Sequence, residues 1–444
     1  MVLCNGLHKE FSKMKHGKLL LTCAIISGIA ASSNSTFAYT RSSSMHTLTH
    51  KTYSHPDNGK LILPSGLARW TDWVTLTGSV SLGGFASNRT PTNAGVIPGN
   101  IGSSPSATDI SVTFADLTFD AKPTRWLETL IEMSYQQQSP SFIRSPAGGG
   151  NVLFVNQAYM IFANPACSPF YAKFGRELIE FGGLDSTSLL ESMTQLLTLT
   201  RATVAQVGFV DLNHFYGSLY GFRGLTRNSN RNTTLIDSVG ARLAYDQKGE
   251  QAGYLFHIDY LSNIVSSLFN SSTVAGSSTL NSGFYHRAVS GLDLYAKANW
   301  RAYDISANYA TALNSFSVLD VPYTTNGGSS FRGAEPAAWG ANAGYSFDLY
   351  NYQTRFGIGY QGTSQAVALG SALGSVSNAV AGVYGQFFAI GMPRSRLYAN
   401  YKIEFAKWVN LGMEVAGDKG YGSQYGGEAR TSLIGAMVVT AKLA

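Results

Sequence analysis

The 444-residue chain is poor in charge, in long apolar runs and in cysteine. Charged residues make up 13% of it, about half the usual share of a soluble domain. Beyond the N-terminal leader no stretch reaches the roughly 18 apolar residues of a membrane helix, so spanning by helices is excluded. Of the 3 cysteines, Cys4 and Cys23 lie in the leader. Cys167 alone remains afterwards, which rules out an intramolecular disulfide, a cysteine zinc site and a redox pair. Its setting, Asn164-Pro165-Ala166-Cys167-Ser168-Pro169, reads as a turn, with a reactive thiol or intermolecular crosslink as the alternative.

Catalytic signatures are missing too. No Gly-x-Ser-x-Gly elbow, phosphate-cradling glycine loop or His-Glu-x-x-His pair occurs, and each of those chemistries needs its residues at that spacing. His214, His257 and His286 stand alone and read as satisfied interior residues. His46, His50 and His55 match no ligand frame, and no metal or other cofactor is expected. The net charge is +6. Four leader lysines against Glu10 account for half of it, and no basic stripe with interleaved aromatics points to nucleic acid.

What the chain does have is 47 Gly, 24 Tyr and 24 Phe, the material of turns and of aromatic girdles. Lys9, Lys13, Lys15 and Lys18 precede an apolar stretch, Leu19 to Ala31, and a small-residue site ending at Ala38. That is a secretory signal peptide over residues 1–38, complete even when translation starts at Met14 instead of Met1. Residues 39–73 are rich in Ser, Thr and His, show no period, and read as a flexible periplasmic segment.

From Val74 to the end the sequence alternates. Val74-Thr75-Leu76-Thr77-Gly78-Ser79-Val80-Ser81-Leu82 has one apolar and one polar face, because successive strand side chains point to opposite sides. The pattern returns at 110–120, 127–135, 152–162, 170–177, 202–210, 215–223, 238–246, 254–260, 289–300, 303–312, 339–348, 352–361, 380–390, 396–405, 409–417 and 433–443. In 127–135, Leu127, Ile131, Met133 and Tyr135 share one face and Glu128, Glu132 and Ser134 the other. In 289–297 the polar face carries Asp293 and Lys297. A phase change in 110–120 places a bulge near Ala115-Asp116. Short turns at Lys122-Pro123, Asn164-Pro165, Leu212-Asn213, Gln247 to Glu250, Arg301-Ala302 and Tyr350-Asn351 alternate with long Gly/Ser/Asn-rich links. Export, alternation and this rhythm predict an all-β, up-and-down antiparallel outer-membrane barrel over residues 74–444 of a Gram-negative bacterium. Seventeen segments cannot close such a barrel, which takes an even number. Sixteen strands are expected, with 18 as the alternative, and the rhythm fails between 362 and 408. The chain stops at Ala444 where many such barrels end on Phe, the residue read by the barrel-assembly machinery that is an expected partner along with outer-membrane lipid.

The link after 170–177 is more apolar than the other outer links. Running through Phe181-Gly182-Gly183-Leu184 and Met193 to Thr203, it is expected to fold inward or pack. Its charges, Lys173, Arg176, Glu177, Glu180, Asp185 and Arg201, are the candidate pore residues, since pores select by charged side chains and width. The competing reading is that they pair across strands and fill space, as Glu128, Glu132, Arg242 and Lys297 also do in that reading.

Gly175 and Arg176, Phe181 and Gly182, and the run Thr198-Leu199-Thr200-Arg201-Ala202-Thr203 resemble the LbtU-type siderophore porins. Trp73 to Gly78, Gln157-Ala158-Tyr159 and Pro393 to Asp418 add weaker likeness. Glu180 stands where the family has Pro, and Met193-Thr194-Gln195-Leu196 replaces its Asp-Pro-Leu-Thr element. The resemblance implies a barrel, about 16-stranded, that takes up a ferric siderophore without catalysis. A general diffusion porin and an adhesive or structural surface protein are the competing functions. With only about 35 residues between the leader and the first strand, no separate plug domain is expected.

Overall fold

The computed structural model describes residues 69–71, 74–88, 107–124, 126–136, 152–163, 168–179, 181–182, 188–190, 192–212, 214–224, 227–228, 236–249, 251–267, 284–325, 330–367, 369, 392–406, 408–425, 429 and 431–443. The expected signal peptide, the histidines before Val74, Cys167, Glu180 and Asp185 lie outside them.

Sixteen strands follow one another around a ring: β1 (Val74–Ser87), β2 (Ala107–Thr124), β3 (Leu127–Gln136), β4 (Val152–Ala163), β5 (Phe170–Leu178), β6 (Arg201–Leu212), β7 (Phe215–Phe222), β8 (Ser238–Lys248), β9 (Ala252–Leu261), β10 (Gly291–Trp300), β11 (Tyr303–Ala312), β12 (Ala337–Leu349), β13 (Tyr352–Ser364), β14 (Ser395–Ala406), β15 (Val409–Lys419) and β16 (Thr431–Leu443). Each pairs antiparallel with the next. β16 closes on β1 from Gly78 opposite Leu443 to Ser87 opposite Ile434, so no edge is left to pair with another chain. Arg69–Thr71 folds back antiparallel on the start of β1. Among the described residues no helix is long and apolar enough to cross a membrane.

The seventeenth sequence segment, 380–390, lies outside the described residues. β13 pairs directly with β14, so the barrel closes without it. The bulge is also displaced from its expected place. Ser81 faces Phe114 and Leu82 faces Val112, so the extra residue is Thr113. The apolar phase change at Ala115 is its consequence, not its site.

Short turns have the backbone that strand twist demands. Between Leu349 and Tyr352 both Tyr350 (φ 50°) and Asn351 (φ 66°) are left-handed, the requirement of a two-residue type I′ hairpin. Arg301 (φ 52°) turns β10 into β11. Aromatic rings gather at this end. Trp126 stacks on Phe162 at 6.1 Å, Trp300 on Tyr303 at 6.1 Å, and Tyr303 meets Tyr345 at 4.9 Å. This is the girdle of one membrane interface, on the periplasmic side where short turns sit. Above it Leu82, Leu153, Leu219, Ile305, Ile358, Val415 and Met437 are exposed on the outer wall, which for a soluble protein would be an unmanageable apolar surface and for a barrel is the lipid contact.

The inner wall has two zones. Toward the short turns it is polar, with Asp116, Glu132, Gln157, Gln206, Ser306, Thr354, Asn400 and Thr440 buried. Toward the long links the inward residues become apolar: Val204, Phe222, Ala312, Ala338, Tyr398, Ala416 and Ile434 join one buried cluster with residues of the links themselves.

Candidate functional site

The link from β5 to β6 accounts for much of that apolar zone. Ile179 N–H donates to Thr200 C=O at 2.9 Å, pinching the base of the segment before it leaves the wall. Gly182 then turns it inward. Its φ is +98°, and a Cβ there would come within 2.1 Å of Thr198 Oγ1, so glycine is required by backbone and by space. The short helix α1 (Met193–Thr198) follows, capped by Ser192, whose hydroxyl accepts from Gln195 N–H, as N-caps do. All six of its residues are buried. Met193, Leu196 and Leu197 enter the cluster with Ile179, Phe181 and Leu190.

Polar groups on distant strands hold this segment. Near its start, Gly182 N–H donates to Asp259 Oδ2 at 2.9 Å and Gly182 C=O accepts from Arg242 Nη2 at 3.0 Å. In its middle, Ser188 Oγ donates to Glu414 at 2.7 Å and Leu189 N–H at 2.5 Å, while Leu189 packs on Val438. At the helix, Met193 N–H donates to Gln361 Oε1 at 3.1 Å and Asn308 Nδ2 to Thr194 Oγ1 at 2.5 Å. These anchors belong to β8, β9, β11, β13, β15 and β16. From β5 the strand half a ring away is β13, so the segment crosses the lumen.

The inward folding expected of this segment is therefore present; the candidate charges are only partly brought together. Lys173 and Glu177 face the lumen, both buried, with Nζ and Oε2 2.5 Å apart, and Lys173 sits 5.5 Å from the centre of the Tyr159 ring. Between them Gly175 (φ +141°) lies where a Cβ would meet Ala158 O at 2.3 Å. Arg176 is on the other phase of β5, exposed like Phe174. A lumenal contact for Arg176 is thus corrected, because strand alternation turns it to the outer wall. Arg201 is buried at the start of β6 but out of phase with the inward Ala202, Val204 and Gln206. Glu180 and Asp185 are not among the described residues.

Cross-strand pairing dominates the other lumenal charges. Arg396 is fully buried and forks onto Asp418 at 2.7 and 2.8 Å. Arg355 reaches Asp304 at 2.9 and 2.6 Å over Gly344, where a Cβ would stand 2.0 Å from the guanidinium. Glu132 accepts from Asn156, Gln157 and Ser134. The anchors Asp259, Glu414, Gln361 and Asn308 were missed in the sequence. Their signal was present as single polar residues in otherwise apolar runs, such as Asp259 between Ile258 and Tyr260.

Among the described residues one cluster has metal-ligand chemistry: His257, Asp259 and Asp293 offer ligand atoms within 4.8 Å of one another. Asp259 already accepts from both Arg242 nitrogens and from Gly182 N–H, with His257 Nδ1 at 3.1 Å. A carboxylate so committed serves the segment; the cluster reads as an anchor.

No family model matches the chain. A UPF0422 protein of Coxiella burnetii is 26% identical over 316 residues, 70% of this chain and 60% of that one. A UPF0422 protein of Legionella pneumophila is 25% identical over 283 residues, 59% of this chain and 49% of that one. The chain thus spans about half to three fifths of the length of these relatives. Among solved structures, Pseudomonas putida OprB aligns at a TM-score of 0.50 with 11% identity, covering 83% of this chain and 94% of that one. The anion-selective porin from Comamonas acidovorans aligns at 0.50 with 8% identity, covering 83% and 99%. The fold is that of the outer-membrane porins. With the lipid-facing belt and girdle, it places the protein in the outer membrane of a Gram-negative bacterium.

Proposed function

We propose that the protein is an outer-membrane channel for a ferric siderophore or comparable small oxygen-rich solute, with the segment 179–200 setting the passage. The observation that carries the channel reading is this segment, anchored to strands on both sides of a polar-lined barrel. A constriction built from an inward loop leaves selection to width and to the charges beside it; here those are the Lys173–Glu177 pair and the Arg242–Asp259 pair. The siderophore rests on the resemblance around Gly175 to Thr203. A general diffusion porin is supported equally by the barrel itself.

Uptake of radiolabelled iron bound to a siderophore, by cells with and without the gene, tests the cargo. Uptake that falls on deletion supports it; equal uptake with ion conductance in planar bilayers leaves the general porin. A barrel with neither uptake nor conductance is an adhesive or structural surface protein. Lipid and the barrel-assembly machinery are the partners this reading requires.

A further inference from the structure

Three outer links converge on one ladder of rings and cations. In the link between β11 and β12, a small hairpin pairs Pro322–Thr325 with Ser330–Gly333, and Tyr323 stands directly opposite Arg332. The guanidinium lies over the Tyr323 ring at 5.5 Å. Tyr323 stacks on Tyr425 of the link between β15 and β16, with centroids 6.2 Å apart and planes at 17°. Arg394, immediately before β14, lies over Tyr425 at 6.0 Å. Tyr421 closes the base, edge-on to Tyr425 at 6.4 Å, with its hydroxyl 2.7 Å from Thr363 Oγ1.

The rings are buried or half-buried, whereas both guanidinia are exposed. Neither has a carboxylate within 4 Å among the described residues. Asp418, across from the start of β14, is engaged by Arg396, and Asp320, in the link that carries Arg332, by His286, while Glu335 of that link is exposed. A guanidinium held over a ring face by the cation–π attraction still has N–H groups that can fork onto an oxyanion. Ring packing also fixes these long side chains, so less freedom is lost on binding.

We propose that Arg332 and Arg394 form an oxyanion-binding site at the outer mouth, suited to a small solute bearing several carboxylates or phosphates. A lipid headgroup phosphate has the same chemistry, and the test separates the two sources. The role of the site in uptake rests on the channel reading; binding does not, and it is measured on the folded chain in detergent without any transport.

Isothermal titration with citrate, tripolyphosphate and lipid A micelles at low salt tests the site. The unaltered protein is expected to bind saturably, and an Arg332→Gln/Arg394→Gln pair to bind at least tenfold more weakly, with heat-modifiable gel migration unchanged. Arg301→Gln is the control, since Arg301 lies over Trp300 at 5.4 Å in the same way but at the short-turn end; it should leave binding unaltered. Loss confined to citrate and tripolyphosphate assigns the site to free solutes, and loss confined to lipid A assigns it to the headgroup. Equal affinities of parent and double variant for all three probes overturn the proposal, as does an absence of binding by the parent.

Discussion

Arg242 and Asp259 face each other in register across β8 and β9 and meet through two bonds of 2.7 and 2.6 Å, with the backbone of Gly182 held by both. One ion pair thus fixes both polar groups of a single peptide position on the crossing segment. Asp259 is fully buried, so it can be ionised there only because these donors replace its water.

Removing one partner leaves the other charge buried and unpaired, which costs roughly 3–5 kcal/mol. Asp259→Ala is therefore expected to lower the temperature at which the barrel loses its folded gel migration, and to release the start of the segment. Single-channel recording should show a larger or noisier conductance than the parent. An unchanged conductance with an unchanged melting temperature would show that the pair does not hold the segment.

Gly182→Ala is expected to be severe for a methyl group. The positive φ costs on the order of 1–3 kcal/mol for a residue with a side chain, and the new Cβ would lie 2.1 Å from Thr198 Oγ1 and 2.6 Å from Thr198 Cβ. Thr198→Ala removes the first clash and leaves the second. Adding it to Gly182→Ala should therefore restore stability only in part, as thermal melts of the two single variants and the double variant would show.

How the molecule reads from its sequence follows from what each signal encodes. Alternation encodes which face of a strand is wet, so Glu128, Glu132 and Ser134 are separable from Ile131 and Met133 in the sequence alone. It also misled. Val380 to Ile390 alternates, yet β13 and β14 pair without it, because period two reports a local pattern and pairing is a long-range choice. The inward course of 179–200 was legible from its apolar content. Its anchors were not, since Glu414 and Gln361 lie 225 and 168 residues from their partners, and nothing local marks which polar lumen residue meets a loop. Arg176 shows the same limit from the other side: a charge next to the right motif points outward when its phase is odd.

Tyr421 gives the outer mouth an alkaline limit. Burial, outweighing the hydroxyl's bonds with Thr363 and Ala366, pushes its pKa up to about 12, from 10.0 in the open. A raised pKa means that the neutral form is favoured in the folded state, so its contribution is intact below pH 10 and is lost as pH rises through 12. Tyrosinate absorbance should show a late-titrating component that shrinks by one residue in Tyr421→Phe. That variant also strips the acceptor from Ala366 N–H, 3.2 Å away, at a cost of about 1–3 kcal/mol.

The crossing segment is held independently at its start and in its middle, Gly182 by Arg242 and Asp259, and Ser188 with Leu189 by Glu414. Sites so far apart on the ring are expected to add in stability, because they share no partner. Conductance should behave differently. A segment released at one anchor stays across the lumen while the other anchor and α1 hold, so Asp259→Ala and Glu414→Ala should each change conductance modestly. The double variant should change it by more than the two effects combined. Additive stability with more-than-additive conductance is the signature of a strap pinned at two points. Strictly additive conductance would mean that each anchor only shapes its own part of the passage.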